Sequence, residues 1–248
     1  MLQIKIPASK LAACIGLNPY CKIPDALLDL YKYKKLGSIE KLEAKKLLDT
    51  KSKTALCKLL EIPLDSSTKD IQQNLKKNLN SLVLDKNKET NLLGSVENKE
   101  LLKSLQSDIN MRKGVLNEAK DLNRLEGKKK MTIINRNSKL GSLVLTIENT
   151  YEIKITGRTD GYCVESKCLI ETKHRKNRLF GKVPLYERVQ CEVYMRMFEC
   201  SQCYHTETWQ EQSNEKLLKL DDELWDKITT RLETKFIPQY LSLIHSYL

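Results

Sequence analysis

The hydrophobic period changes near residue 131, and that change limits the fold more than any other feature. Up to about residue 126 apolar residues recur at helical spacing. Leu11, Ala12 and Ile15 form one stripe; Leu27, Leu28 and Tyr31, then Leu42, Leu47 and Leu48, form others. From 131 to 175 strand-like runs replace them: Ile133-Ile134, Leu143 to Ile147 and Tyr151 to Ile155, with Asn149-Thr150 as a turn between the last two. A helix over 184–198, a strand over 202–209 and a long helix over 215–247, broken at Pro238, complete the order. This order predicts an α/β (α+β) chain with a central mixed β-sheet flanked by helices.

Local signals place the boundaries. Ser9 opens a helix over 8–16 that Gly16 and Pro19 close. Asp65-Ser66-Ser67-Thr68 reads as a linker and helix start, and 85–100 as a polar loop or frayed helix ends. A helix over 100–126 stops at Gly127, before a solvated Lys128-Lys129-Lys130 turn. The 248 residues suit a single domain, with 22–109 as a helical insertion and 110–248 as the core.

The net charge of +11 favours a polyanionic partner, nucleic acid first and an acidic membrane surface second. No run of about 18 apolar residues offers a membrane-spanning helix. The N-terminal residues carry no secretory pattern, so the eight cysteines read as reduced thiols of a soluble, intracellular protein.

One hairpin concentrates chemistry. Arg158-Thr159-Asp160-Gly161-Tyr162 leads through a turn at Glu165-Ser166-Lys167 into Cys168-Leu169-Ile170-Glu171-Thr172-Lys173. Alternation puts Leu169, Glu171 and Lys173 on one strand face, and hairpin pairing brings Asp160 level with Glu171 or Lys173. Two carboxylates can hold Mg²⁺, and a lysine sets a fixed positive charge beside them. A surface Glu-x-Lys pair on a polar hairpin is the plainer reading.

Other residues fall into step. Glu118 follows Gly114 by one helical turn, and Gly114 would permit close backbone approach. Gln190 and Tyr194 share a helix face beside the apolar stripe Val189, Val193 and Met197; Gln190 can orient a carboxylate, and Tyr194 can contact phosphate or stack. Ser9 offers a hydroxyl and free N–H groups at a helix start. Lys173 to Arg178 and Lys182 follow the strand and would line a DNA groove, with Lys176 and Arg178 as contacts and Arg158 joining them. Cys200-x-x-Cys203 with His205 invites a metal reading but lacks a second pair, so buried thiols are the better account.

The ordered set resembles the PD-(D/E)XK nucleases of the YqaJ, or lambda-exonuclease-like, viral recombinase type. The matching segments are Ala8 to Tyr20, Gly114 to Glu118, Asp160-Gly161, Glu171 to Lys173, and Gln190 to Tyr194; Leu220 to Phe236 resembles the family's last helix. The resemblance covers roughly 1–21 and 110–248, and Thr159 stands where the family often has Pro. It implies a restriction-endonuclease-like core and a metal-dependent DNA exonuclease acting 5′ to 3′ on linear double strands. It implies Mg²⁺, with Mn²⁺ as a substitute, held by Glu118, Asp160, Glu171 and the Thr172 carbonyl. Lys173 would act on the attacking water, Gln190 would orient the site, and Ser9 would touch a 5′-phosphate. The implied partners are double-stranded DNA ends, further copies of the chain in a homotrimer, and a single-strand annealing or recombinase protein, in a virus-encoded setting. A structure-specific endonuclease and an inactive nucleic-acid-binding module are the alternatives.

Overall fold

A computed structural model describes residues 2–32, 50–85, 87, 90, 94 and 99–245. Two compact units divide the chain: Met1–Lys32 with Glu118–Leu248, and Tyr33–Asn117. Leu42, Leu47 and Leu48 lie outside the described residues, as does most of the 85–100 segment.

In the first unit the chain runs β1 (Leu2–Pro7), α1 (Ala8–Cys14) and α2 (Ile23–Lys32). In the second it forms α3 (Thr50–Leu59), α4 (Thr68–Leu84) and the start of α5 (Lys99–Lys129), which crosses the division. β2 (Ile133–Ile134), β3 (Leu140–Ile147), β4 (Tyr151–Arg158), β5 (Gly161–Cys163) and β6 (Cys168–His174) follow. Then come α6 (Leu185–Met197), β7 (Gln202–Trp209), β8 (Gln212–Lys219), α7 (Asp222–Arg231), a π-turn (Leu232–Phe236) and α8 (Ile237–His245).

The strands make two mixed sheets where the sequence suggests one. The first has the order β1-β4-β3, with β1 parallel and β3 antiparallel to β4. The second has the order β2-β5-β6-β7-β8, antiparallel except for the β6/β7 pair. α6 packs against β6 and β7. Leu122 and Leu125 of α5 pack with Ile170, on the alternate side of β6 from Glu171. The larger core gathers Ile4, Ile6, Leu11, Ile15, Leu27, Ile153, Val189, Val193, Ile228 and Phe236.

β1 is a strand that the period reading passes over, although Leu2, Ile4 and Ile6 alternate with Gln3 and Lys5. Its register sets Ile4 beside Ile153 and Ile6 beside Ile155. All four are buried, each contributing on the order of 1.5–3 kcal/mol.

The helix expected over 215–247 divides. Residues 212–219 form β8, paired along its length with β7 after a turn in which Gln210 takes φ 54°. Glu215, Lys216, Leu217 and Leu218 favour a helix locally, but the unpaired edge of β7 outweighs that preference. The helix starts at Asp221, whose carboxylate accepts from the Leu224 N–H at 3.0 Å. Pro238 does not break it: the π-turn over Leu232–Phe236 shifts the hydrogen-bond register immediately before the residue that lacks an N–H.

Smaller boundaries also differ. Gly127 lies inside α5, which ends where Lys130 adopts φ 51°. Lys128 and Lys129 form ion pairs with Glu215 at 2.7 and 3.0 Å, so they are tethered to β8. α1 ends as its glycine suggests: Gly16 has φ 69°, and the Leu17 N–H reaches the Ala12 carbonyl at 2.7 Å.

In the second unit Ser67 and Asp70 cap α4 reciprocally: the Asp70 N–H donates to the Ser67 hydroxyl and the Ser67 N–H to the Asp70 carboxylate, both at 3.1 Å. Leu56, Cys57, Ile71, Leu75, Leu105 and Ile109 are buried there.

Candidate active site

β6 carries the centre. Gly161 pairs with Ile170, and the chain just before it delivers Asp160 to the end of the hairpin. The Thr172 N–H and hydroxyl both donate to Asp160 Oδ2, at 2.6 and 3.1 Å. Gly161 is required for packing, since a Cβ there would lie 2.4 Å from Ile133 Cγ2.

Glu171 is 2% exposed and points to the face covered by α6. Its Oε1 accepts from Lys173 Nζ at 2.5 Å and from Gln190 Nε2 at 2.9 Å. Its Oε2 is buried and has no hydrogen-bond partner. Burial and the Asp160 charge push the Glu171 carboxyl up to about 8, against the pull of Lys173. Burial likewise raises Asp160, and burial with the Asp160 charge raises Glu118. Burial works against the Lys173 ammonium, but Glu171 and Asp160 outweigh it and hold the group above its usual range. Its side chain keeps 27% of its exposure.

Glu118, Asp160, Glu171 and Lys173 therefore feel one another's charges, although they come from a helix, a turn and a strand. Among the described residues no group of three or more His, Cys, Asp and Glu side chains forms a ready ligand shell for a metal. The donor set nevertheless suits a hard divalent cation: three carboxylates with raised proton affinity, one bearing an orphaned buried oxygen.

Gln190 holds the centre from α6. Its amide nitrogen donates to Glu171 Oε1 and to the Tyr194 hydroxyl at 3.1 Å, while its Oε1 faces Lys173 Nζ at 3.5 Å. Tyr194 is 4% exposed, too buried to meet DNA. Its ring lies so close to Gly157 that a Cβ there would sit 2.5 Å from Cε1. It anchors Gln190 instead.

Ser9 is exposed but is the second residue of α1; Pro7 caps the helix and makes no side-chain bond. Arg158, Lys176 and Arg178 are exposed on the same unit. Arg175 is not free for a groove: it is 9% exposed and bonds Glu187 at 2.6 and 2.8 Å and Glu207 at 2.8 Å. Gly114 makes no close approach, since a Cβ there would meet nothing within 4 Å.

Cys203 faces the core, where the neighbouring Cys191 and burial raise its thiol, and Cys200 donates to the Phe198 carbonyl at 3.5 Å. His205 is spent on Glu187, at 2.8 Å. All eight cysteines are free.

Three supporting residues, Asn137, Asp121 and Thr208, carry almost no sequence signal. Asn137 donates to Glu118 Oε2 at 3.3 Å while its backbone N–H reaches the Asp160 carbonyl at 3.2 Å. Its φ of 49° matches the left-handed tolerance of Asn, the one hint available in Asn135-Arg136-Asn137. Asp121, one turn after Glu118, accepts from Thr208 and lies 3.2 Å from His174 Nδ1.

The chain matches no family model and no curated protein. Similar solved structures include an alkaline exonuclease from Laribacter hongkongensis, at 14% identity and TM-score 0.44 over 84% of this chain and 95% of that one. A phage related exonuclease from Haemophilus somnus 129PT is similar at 14% identity and TM-score 0.44, over 99% and 97%. SSO0001 is similar at 13% identity and TM-score 0.41, over 73% and 85%. Likeness at this level assigns no role to any residue of this chain.

Proposed function

We propose that the site hydrolyses phosphodiester bonds of DNA, digesting linear double strands from their 5′ ends. The observation that carries this reading is the buried, unpartnered Oε2 of Glu171 beside two further carboxylates of raised proton affinity and one lysine. Glu118, Asp160, Glu171 and the Thr172 carbonyl would hold Mg²⁺, or Mn²⁺ in its place. Such a cation supplies neutralising charge at the phosphate and acidifies water.

The chain's own groups do the rest. Lys173 keeps its proton against burial because Glu171 and Asp160 stabilise the ammonium, and it sets a positive charge where negative charge develops in the transition state. Gln190, anchored by Tyr194, fixes both Glu171 Oε1 and the Lys173 ammonium. Asp160 is aimed by two donors of Thr172, so hairpin and strand cannot slip without breaking the site. Ser9, Arg158, Lys176 and Arg178 would bind the DNA backbone, with Ser9 at the 5′-phosphate. On this reading the chain serves recombination, replication or repair of a viral type, as a homotrimer beside a single-strand annealing protein.

Incubation with 5′-phosphorylated linear duplex and with covalently closed circles tests this. Linear DNA should be digested with Mg²⁺ and spared in EDTA, and circles should survive throughout. Cleavage of closed circles would favour an endonuclease instead.

A further inference from the structure

We propose that Tyr20, Tyr186 and Phe180 form a stacking site for the bases of an unpaired DNA strand, an inference that rests on the DNA-acting reading above. Tyr20 is 80% exposed, and its backbone N–H donates to Asn18 Oδ1 at 3.0 Å. Its ring meets that of Tyr186 edge-on, with centroids 5.9 Å apart and an interplanar angle of 81°. Tyr186 precedes Glu187, whose carboxylate grips Arg175 by two bonds. The Arg175 guanidinium lies 4.1 Å over the ring of Phe180, which is 42% exposed. Phe180 thus lies on one buried ion-pair network, Tyr186 adjoins it in sequence, and Tyr20 rests against Tyr186; Arg175 is two residues beyond Lys173.

The segment bearing Phe180 is held in shape. The Arg175 N–H reaches the Thr208 carbonyl at 2.7 Å, and the Phe180 and Gly181 N–H groups donate to the Glu207 carboxylate at 3.0 and 2.8 Å. Gly181, with φ 74°, supplies the left-handed turn. Lys176, Arg178 and Lys182 are exposed on this segment, and no acidic residue occurs between Thr172 and Tyr186. Exposed aromatic rings beside the exposed Lys176, Arg178 and Lys182 match bases and phosphates respectively. A duplex hides its base faces, so the occupant is a single-stranded stretch.

Binding in EDTA tests this without turnover. Fluorescence anisotropy would compare the full chain on a blunt duplex and on one with an extension of about five unpaired nucleotides, on either strand. The wild type should prefer the extended duplex. Tyr20→Ala and Phe180→Ala should each weaken that binding about tenfold, within the range of one base–aromatic stack, and leave blunt-duplex affinity within roughly twofold. Tyr20→Trp should retain the preference. Extended-duplex affinity unchanged in both alanine variants, or no preference in the wild type, would overturn the site. Ring-dependent binding by a chain that never cleaves with Mg²⁺ would support the stacking site and reject the nuclease reading. Cleavage with ring-independent binding would do the reverse.

Discussion

The Thr208 hydroxyl donates to Asp121 Oδ2 at 2.5 Å, joining the helix that carries Glu118 to the strand beside Glu171 and Lys173. His174 Nδ1 lies 3.2 Å from the same oxygen and 3.2 Å from the Thr208 hydroxyl. Asp121 is 7% exposed, so its removal takes from Thr208 the acceptor at 2.5 Å and leaves only His174 Nδ1, at 3.2 Å, in a nearly dry site. Asp121→Ala should destabilise the fold by about 1–3 kcal/mol, the usual cost of an orphaned buried group. It should also lower cleavage, because Glu118 sits one turn away. Asp121→Asn keeps an acceptor and should recover most of both. Denaturant midpoints and single-turnover rates would check this, and an Asp121→Ala variant as stable and active as wild type would contradict it.

Acid should loosen the Arg175–Glu187–His205 network. Burial works to raise the Glu187 carboxyl, but Arg175 and His205 hold it down at about 2, against about 4.5 when unfolded. A depressed carboxyl contributes stability that is present above the unfolded value and lost as pH falls from about 4.5 through about 2. The contribution is about 3 kcal/mol at neutral pH, taking 1.36 kcal/mol per pH unit. Glu187→Gln should be less stable at pH 7 and lose less between pH 4.5 and 2, by urea melts at each pH. Parallel stability curves for the two proteins would rule the network out as a source of acid sensitivity.

Two glycines should respond in opposite directions. Gly157→Ala drives a methyl to 2.5 Å from Tyr194 Cε1 and 3.2 Å from Ala8 Cβ, displacing the anchor of Gln190. It should cost about 1–3 kcal/mol and slow cleavage. Gly114→Ala meets nothing within 4 Å inside a helix and should stabilise by up to about 1 kcal/mol. Thermal melts of the two variants decide it; shifts of the same sign would mean that at least one of the two environments is not as described.

The hairpin was legible because its chemistry follows strand period: Glu171 and Lys173 share a face, and the turn returns Asp160 to them. Gln190 was legible for the same reason on a helix. The supports were not, because Asn137, Asp121 and Thr208 act across 19 to 87 residues of chain, and no local pattern records such pairs. β8 is not legible because its residues favour a helix and only the edge of β7 makes them a strand. Arg175 reads as a groove cation in the sequence, which shows its charge but not Glu187 and Glu207 around it.

The central claim is that Lys173 and the carboxylates around it form a phosphodiester-cleaving centre. Its most direct test is single-turnover cleavage of a 5′-labelled linear duplex by wild type and Lys173→Ala, with duplex binding measured separately in EDTA. The account predicts Mg²⁺-dependent cleavage by wild type, a loss on the order of a hundredfold or more in Lys173→Ala, and unchanged binding. Cleavage by Lys173→Ala at the wild-type rate would contradict it.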